Sequence, residues 1–531
     1  MANLSALRSD FDRVPSSGSL RVTKAPPLSL ETLDCLPSAV RRPGFDVAAL
    51  RPGILHLGCG AFHRAHQAVF TQRAIEAETS GAAGAAPPAW GIVASSLRQP
   101  STRNALRPQD GLYTVLERGP DATRAEVVGS LREVGFAPED PAGLLARFAD
   151  PAIRIVTLTV TSSAYSLDPA ADGPCPDHPE IQRDHQGPAA CNALGVLVGG
   201  LAAAQKAGTR PPVVMACDNL PENGRTLQQA AMDYASLTDD RLANWIGRSV
   251  QFPSSMVDRI TPAVTDLDVA DAAMMLGLAD AAPVAAEPFR QWVIEDFEGA
   301  RPRWDAAGAE FVTDVAPWEA SKLRLLNGTH MAIAYLGALV GLRTVFEVVA
   351  EPLFADYALR FMLEEQKPTL PPSRHDIDAY AHQLLQRWRN PGIVHDLGRV
   401  GRNGSDKLQP RLLASLMDNL QAGRPAPCTI LAVAAWICCV TGLGVPAEAV
   451  EIEDPLSENL RSLGRAAGSD AARLTASVLE MENLFGQDLP RMQGFRAELT
   501  AAVSQLQRVG PRRAIAALMA SAPAAPVLEF A

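Results

Sequence analysis

The chain has 531 residues, of which 47% are apolar and 20% are charged, enough to bury the cores of two or three globular domains. Its net charge of -11 at pH 7 is spread along the sequence without a basic stripe or an acidic tail. That distribution argues against nucleic acid and membrane surfaces as partners and favours a small molecule.

The cysteines and the apolar segments indicate the cellular setting. Eight cysteines without regular spacing, in a chain this long, are typical of reduced thiols in a cytoplasmic protein. The N-terminal stretch carries charges at Arg8, Asp10, Asp12 and Arg13 and has no apolar segment that would predict a secretory signal. Residues 425–447 are uncharged, but their prolines and glycines leave an apolar core of about 13 residues, which predicts a buried helix. The sequence leaves open whether the protein is a monomer or a dimer.

The periodicity divides the chain into an α/β part and a helical part. Residues 1–48 show no clear period and are predicted to form an extension over the fold. Residues 49–315 alternate strands (54–57, 90–96, 152–161 and 212–217) with helices (62–78 and 193–207), as in a parallel sheet. Residues 316–531 have helical spacing at 317–340, 345–366, 377–389, 406–421, 428–441, 456–467 and 470–483. The predicted fold class is therefore α/β: a Rossmann-like doubly wound domain at residues 49–315, followed by an all-α domain at residues 316–531.

A glycine turn follows the first predicted strand, in the sequence Gly58-Cys-Gly60-Ala-Phe-His-Arg64. Gly58 can make the tight turn, and Gly60 lets the backbone approach a pyrophosphate at a helix N-terminus. The third glycine of the dinucleotide fingerprint is missing, so a simple turn is the alternative. The residues predicted to contact the cofactor are Gly58, Gly60, Ala61, Phe62, Arg64 and Ser96.

The end of the second strand bears on the choice between NAD and NADP. A Rossmann domain that prefers NAD usually places Asp or Glu there, to hold the ribose 2′-hydroxyl. No acid occurs in residues 91–109, where Ser96, Arg98 and Arg103 stand. NAD is the predicted cofactor and NADP is not excluded. The alternative for the two arginines is that they are surface charges.

Asn219 follows the strand predicted at 212–217 and would project from the carboxyl edge of the sheet, where open α/β folds bind ligands. An amide there can donate to an oxygen that gains negative charge. The alternative is a turn or helix-cap residue.

Zinc is a further hypothesis, because Cys175, His178, His185 and Cys191 could be assembled into a site. Their spacing is irregular, and the stretch is rich in Pro and Asp. We therefore predict no metal site.

The helical stretch that begins the second half carries an ammonium, an amide and an imidazole. At about 100° per residue, Lys322, His330 and Asn327 lie near 0°, 80° and 140°, within one side of a helix. Glu319, one turn earlier, can reach the ammonium and help to move its proton. We predict an acid/base site; the alternative is a solvated face or a satisfied core cluster.

Together these segments resemble the mannitol dehydrogenase family of long-chain polyol dehydrogenases, from about Gly53 to Leu412. The blocks that carry the resemblance are LHLGCGAFHRAHQ at 55–67, CDNLPENG at 217–224, FPSSMVDRITP at 252–262 and EPFRQWVIED at 287–296. The resemblance implies a metal-independent hydride transfer between a nicotinamide and the secondary alcohol carbon of a linear polyol or sugar acid. It implies that Lys322 is the general base in oxidation, that Asn219 and Asn327 donate to the alkoxide, that His330 positions hydroxyls and that Glu319 relays the proton.

Two later segments, NPGIVH at 390–395 and NGSDKLQPR at 403–411, resemble a second family signature that closes over the substrate. The resemblance implies substrate contacts from His395, Lys407 and Arg411, and from Asp258 in the block at 252–262. The run TVTSSAY at 159–165 departs from the family pattern Thr-x-Thr-Glu-x-Gly-Tyr, because the acid and the glycine are missing.

The leading substrate hypothesis is a keto-hexuronate and aldonate pair such as fructuronate and mannonate. A sugar acid needs a cation for its carboxylate, and Lys407, Arg411 and Arg402 are candidates. Mannitol and fructose, which need only neutral groups, are the close alternative. A non-catalytic dinucleotide-binding sensor is a third hypothesis, motivated by the altered run at 159–165.

Overall fold

The computed structural model describes residues 25–80, 88–160, 179–186, 192–443 and 450–521. The strands are β1 (Pro52–Leu57), β2 (Gly91–Ser96), β3 (Tyr113–Arg118), β4 (Thr123–Val128), β5 (Leu131–Phe136), β6 (Ile155–Leu158), β7 (Val213–Ala216), β8 (Ser255–Asp258), β9 (Val284–Ala286), β10 (Gln291–Glu295) and β11 (Glu310–Val312). The helices of the first half are α1 (Ala61–Ala65), α2 (Gln67–Thr79), α3 (Ser101–Leu106), α4 (Pro141–Phe148), α5 (Pro179–Gln186), α6 (Ala193–Ala207), α7 (Asn223–Ser236), α8 (Asp240–Ser249) and α9 (Asp266–Leu276).

The helices of the second half are α10 (Ala316–Ser321), α11 (Thr329–Ala338), α12 (Val345–Ala350), α13 (Pro352–Arg360), α14 (Ile377–Trp388), α15 (Leu397–Gly401), α16 (Gly404–Leu408), α17 (Ala414–Gln421), α18 (Pro427–Thr441), α19 (Ser457–Ala467), α20 (Ala471–Leu479), α21 (Glu482–Phe485) and α22 (Phe495–Ala520). Widened π-helical turns continue three of them, at Lys322–Gly328, Phe361–Gln366 and Gln409–Leu413. The predicted fold class, an α/β domain followed by a helical domain, is confirmed.

A parallel sheet in the order β5-β2-β1-β6-β7 organises the first domain. All residues of β2, β6 and β7 are buried, because helices cover both faces of the sheet. This explains the unbroken apolar runs in the sequence. The strand order reverses between β1 and β6, so a crevice opens at their carboxyl ends.

Two small sheets, β11-β10-β8 and β4-β3-β9, extend the first domain and were not predicted. Their strands are short, and β3 pairs with β9 about 170 residues further along the chain, so local periodicity carries little sign of them. They matter for function because β8 ends beside the candidate site.

The described part of the N-terminal extension lies against the first domain. Leu28, Leu36, Val40 and Val47 are buried there, in a cluster that also contains side chains of β3, β4 and α9. Residues 25–48 therefore cover one side of the domain.

The helical domain is built around α18, whose side chains are almost all buried. The buried helix predicted from the uncharged stretch at 425–447 is therefore confirmed. Within the described residues, no helix combines the length and the apolar character that crossing a membrane requires. α22 was not predicted, because Gly510 and Pro511 interrupt its pattern; the chain kinks at Gly510, where φ is 74°.

Candidate active site

The loop between β7 and α7 presents Asn219 at the carboxyl edge of the sheet. Asn223 anchors this loop, since its side-chain amide donates to the Ser255 carbonyl at 2.8 Å and accepts from the Ser255 N–H at 2.9 Å. Asn219 itself is exposed at the edge. The amide predicted to meet a ligand therefore stands where a ligand can reach it.

Lys322 and Asn219 meet although they are 103 residues apart in sequence. Lys322 Nζ donates to Asn219 Oδ1 at 2.5 Å and to the Val257 carbonyl at 2.6 Å. Burial lowers the pKa of Lys322, and the charge of Asp258 opposes that shift. A neutral amine has two N–H groups, so these two acceptors leave its lone pair for a third partner.

Lys322 and Asn327 share one cavity because the helix that carries them widens. The segment Lys322–Gly328, between α10 and α11, is a π-helical turn. Residues five apart lie nearly above one another in such a turn, whereas an α-helix would separate them by about 140°. Both line a cavity of about 260 Å³, named here the lysine cavity, whose lining includes Asn219, Val257, Glu319, Lys322, Leu323 and Asn327.

Glu319 lies on the wall of the lysine cavity, one turn before Lys322. Its Oε2 accepts from the Glu222 N–H at 3.1 Å, whereas its Oε1 is buried with no partner among the described residues. Burial raises the pKa of Glu319. A carboxyl group so placed is suited to pass a proton between the amine and the cavity.

A second cavity, of about 330 Å³, shares Asn327 with the lysine cavity. It is named here the cationic cavity, and its lining is Ile260, Thr261, Pro262, Asn327, His330, Val394, His395, Asp396, Arg399, Val400, Lys407 and Arg411. The two cavities meet at Asn327, so a molecule held by the cationic cavity is adjacent to the groups around Lys322. Four residues predicted to contact the substrate, His330, His395, Lys407 and Arg411, are brought together there.

Two uncharged imidazoles stand in the cationic cavity. The centroid of the His330 ring lies 5.0 Å from that of Trp388 and 5.4 Å from that of His395. Burial holds the pKa of His330 well below its usual value and lowers the pKa of His395 to about 4. His330 Nε2 is buried without a partner among the described residues, so a ligand hydroxyl could complete its hydrogen bonding.

The cationic cavity has an excess of positive charge. Arg399, Lys407 and Arg411 face it, and the one carboxylate in its described lining is that of Asp396. Asp396 caps its own helix by accepting from the Arg399 N–H at 2.9 Å. Burial lowers the pKa of Arg411, and no carboxylate of the described residues is among the groups that oppose this shift. An anion is the ligand that would balance these charges.

The structure separates Arg402 from the other cations proposed for a carboxylate. Its guanidinium pairs with Glu453 at 3.1 Å, outside the lining of the cavity. Lys407 Nζ donates to the Arg402 carbonyl at 2.6 Å, which holds the Lys407 side chain in place. Instead, the third cation that lines the cationic cavity is Arg399, which the sequence did not single out.

Asp258 lies behind the site rather than in it. Its carboxylate oxygens accept from Arg387 at 2.7 and 3.1 Å, and it lines neither cavity. We therefore reassign Asp258 from a substrate contact to a charge that acts on Lys322. Arg387 was not predicted from the sequence, because its position there is that of an ordinary polar residue of an amphipathic helix.

The turn after β1 forms a third cavity of about 330 Å³, named here the phosphate-turn cavity, whose lining includes Gly58, Gly60, Ser96, Arg98, Gln99, Thr159 and Asn192. Gly58 has φ 97°, and a Cβ there would lie 2.4 Å from the Thr159 carbonyl oxygen. A Cβ at Gly60 would meet no atom closer than 3.9 Å, so the backbone there faces open space. Backbone open to a cavity at the start of a helix is what a pyrophosphate requires.

The residues predicted to hold a cofactor divide into three groups. Gly58, Gly60 and Ser96 line the phosphate-turn cavity, Ala61 and Phe62 form the first turn of α1 beside it, and Arg64 points away from it.

Arg64 is buried, and its Nη1 donates to the Ala282 carbonyl at 2.5 Å. Its guanidinium also lies 5.4 Å from the centroid of the Tyr113 ring. We therefore reassign Arg64 from the cofactor to the core.

The two arginines after β2 also separate. Arg103 binds the Glu139 carboxylate through both terminal nitrogens, whereas Arg98 lines the phosphate-turn cavity. No carboxylate belongs to the described lining of that cavity. The acid expected for strict recognition of a ribose 2′-hydroxyl is therefore not found at this edge.

Two hypotheses fall on parts of the chain that the structure does not describe. Cys175, His178 and Cys191 lie outside the described residues, as does the run at 161–165, and only the backbone of His185 is described. Across the described ranges, no group of three or more His, Cys, Asp or Glu side chains is arranged to hold a metal ion.

Known proteins share both domains. Residues 52–306 match the family model of the mannitol dehydrogenase Rossmann domain, and residues 314–507 match that of the mannitol dehydrogenase C-terminal domain. The chain is 38% identical over 487 residues to the D-mannonate oxidoreductase of Escherichia coli K12, covering 90% of this chain and 98% of that protein. It is 35% identical over 480 residues to a mannitol 2-dehydrogenase of Pyricularia oryzae, covering 89% and 94%. The structure of Pseudomonas fluorescens mannitol 2-dehydrogenase in a ternary complex with NAD and D-mannitol matches with a TM-score of 0.79 and 34% identity, covering 93% of this chain and 99% of that chain.

Proposed function

The chain belongs to the mannitol dehydrogenase family of oxidoreductases, and within it we propose an NAD-dependent enzyme for linear sugar acids. It would transfer hydride between the nicotinamide and the secondary alcohol or ketone of a substrate of the D-mannonate/D-fructuronate type. The observation that carries this choice is the cationic cavity beside Asn327 and His330.

The phosphate-turn cavity is the proposed place for NAD. Gly58 and Gly60 would take the pyrophosphate, and Ser96 would stand near the adenosine ribose. When bound, the nicotinamide supplies the acceptor for hydride in oxidation and its donor in reduction. The relative whose structure contains NAD supports this choice. Because the described lining has no carboxylate for the ribose, NADP is to be tested beside NAD.

The chain's own groups handle the proton and the charge. In oxidation, the neutral amine of Lys322 takes the proton of the substrate hydroxyl while hydride leaves the same carbon. The amides of Asn219 and Asn327 donate to the oxygen as it gains negative charge; contacts of this kind contribute about 2.7–4 kcal/mol each in hydrolase oxyanion holes. Glu319 then relays the proton from the amine to solvent. In reduction the protonated amine of Lys322 is the acid.

The cationic cavity selects the substrate class in this proposal. Arg399, Lys407 and Arg411 would bind the carboxylate of the sugar acid, while His330 would bind a hydroxyl through its unpartnered Nε2. A hexitol offers only neutral hydroxyl groups, so it would leave Arg411 half-buried without an anion. Burying a cation without a partner is unfavourable, which favours the sugar acid.

D-Mannitol and D-fructose are the second candidate pair. The relative of known structure contains D-mannitol, and Asn327 and His330 are neutral groups that suit a hexitol. A spectrophotometric screen of hexonates and hexitols with NAD and NADP, with and without EDTA, separates the candidates. We expect D-mannonate to give the highest kcat/KM and EDTA to have no effect. A clear preference for D-mannitol would refute the sugar-acid assignment.

Replacing Arg411 with methionine is expected to lower kcat/KM for D-mannonate by about tenfold to a hundredfold, mainly through KM. A hydrogen bond to a charged group is worth about 1.5–3 kcal/mol, which sets this range. Turnover of D-mannitol should change little, because it has no carboxylate. Arg402→Met is the matched control, since Arg402 is exposed and paired with Glu453. Equal losses for both substrates in Arg411→Met would contradict the carboxylate contact.

A further inference from the structure

Arg387 is a buried cation of the helical domain whose two partners both lie in the other domain. It stands near the end of α14 and is 8% exposed. Its guanidinium binds Asp258 at 2.7 and 3.1 Å and Glu287 at 2.7 and 2.9 Å. The Phe289 ring lies against it, 4.0 Å from centroid to Cζ. The cluster holds two carboxylates and one guanidinium, and the buried Arg259 guanidinium lies beside it, donating to the Glu287 main-chain carbonyl at 2.8 and 2.9 Å.

This cluster adjoins the amine of Lys322. Asp258 directly follows Val257, whose carbonyl accepts from Lys322 Nζ at 2.6 Å. Among the charges that act on the amine, Asp258 has the largest effect and Arg387 the next, with opposite sign. Among the described residues, the ionisable groups with the largest effects on the amine are Asp258 on β8, Arg387 on α14, Glu319 on α10 and Arg411 in the π-helical turn before α17. The charge of Lys322 in turn acts on His66, between α1 and α2.

Arg387 cannot act by touching a ligand in either cavity, because it belongs to the lining of neither. Its bonds to Asp258 and Glu287 join α14 to β8 and to the residue that follows β9. The next residue, Trp388, packs against the His330 ring. The end of α14 therefore contacts the groups around the site in two ways: Arg387 binds Asp258, and Trp388 packs against His330.

We propose that Arg387 is a positioning residue: it neutralises Glu287, holds Asp258 beside the strand that binds Lys322, and so sets the charge that the lysine amine experiences. This inference rests on the proposed function, because it concerns the same base. Asp258 transmits the effect. Without Arg387, the Asp258 carboxylate would lose the guanidinium that neutralises it, and the protonated form of Lys322 would be favoured.

The pH dependence of kcat/KM for alcohol oxidation tests this inference. Its acidic limb reports the pKa of the base in the free enzyme. Arg387→Met is expected to move the limb upward by about one pH unit, the scale of the effect of a nearby charge. Arg387→Lys, which keeps the charge, should leave the limb near that of the unmodified enzyme even though kcat/KM falls. In Arg387→Met/Glu287→Gln the net charge is restored, so the limb should return toward its original position.

Arg389→Met is the matched control, since Arg389 is exposed at the end of the same helix and should leave the limb in place. A merely structural role would lower kcat/KM in Arg387→Met at every pH without moving the limb, and that result would overturn the inference.

Should Arg387→Met not fold, Glu287→Gln carries the test: its limb should move downward, and an unmoved or raised limb would overturn the inference. If the unmodified enzyme oxidises no hexonate or hexitol, the proposed function fails first, and this inference with it.

Discussion

Replacing Lys322 with alanine is expected to lower kcat for alcohol oxidation by about 10²–10⁴-fold, the usual contribution of a general base. The amine is held by Asn219 and Val257 at 2.5 and 2.6 Å, and no other amine lines the lysine cavity within the described residues. Binding of NADH, followed by its fluorescence, should change less than about threefold, because the phosphate-turn cavity does not include Lys322.

Two further lysine variants sharpen this prediction. Lys322→Arg should be as inactive as Lys322→Ala, because a guanidinium stays protonated and cannot accept the hydroxyl proton. Lys206→Ala is the matched control, since Lys206 is exposed on α6. Turnover by Lys322→Ala close to that of the unmodified enzyme would remove the proposed base. Turnover by the unmodified enzyme would also exclude the third hypothesis, that the protein is a dinucleotide-binding sensor without catalytic activity.

Replacing Gly58 with alanine is expected to weaken NAD binding by at least about tenfold and to lower the melting temperature. An alanine at φ 97° is strained, at a cost of about 1–2 kcal/mol. Its Cβ would also lie 2.4 Å from the carbonyl oxygen of Thr159, the residue after β6, so the turn or Thr159 must move. Both belong to the lining of the phosphate-turn cavity. Titration calorimetry and thermal melts measure the two effects.

Gly208→Ala is the control for the backbone strain alone. Gly208 has φ 68°, and a Cβ there would have no atom within 4 Å. It caps α6 far from the turn in sequence, so its replacement should cost some stability and leave NAD affinity unchanged. If Gly58→Ala bound NAD as tightly as the unmodified chain, the turn would not be the pyrophosphate site.

Much of the architecture follows from local sequence. The strands at 54–57, 90–96, 152–161 and 212–217 correspond to β1, β2, β6 and β7, because a strand covered on both faces leaves an unbroken apolar run. The small sheets were missed because their register depends on distant partners. The predicted helix at 345–366 is broken at Glu351 and Pro352, where the ring of proline ends the hydrogen-bond ladder.

The candidate site was partly accessible to sequence reasoning. The spacing of Lys322, Asn327 and His330 suggested one helical face, but the ideal angle misplaced Asn327, because a π-helical turn cannot be recognised from spacing alone. Arg64 and Asp258 belong to motifs that surround the site, yet their side chains bind inside the protein. Arg387 and Arg399 gave no signal, since only the fold brings their helices to the site.

The pH profiles of the two reaction directions test the central claim that a single lysine amine exchanges the proton. Burial lowers the pKa of Lys322 below its ordinary value of 10.5. Because oxidation needs the neutral amine, kcat/KM for D-mannonate should fall tenfold per pH unit below that lowered pKa and level off above it. Reduction of D-fructuronate needs the protonated amine and should fall above the same pKa. The predicted result is that the acidic limb of oxidation and the alkaline limb of reduction have their midpoints at the same pH, below 10.5. Midpoints at unrelated pH values, or an oxidation rate independent of pH, would contradict the account.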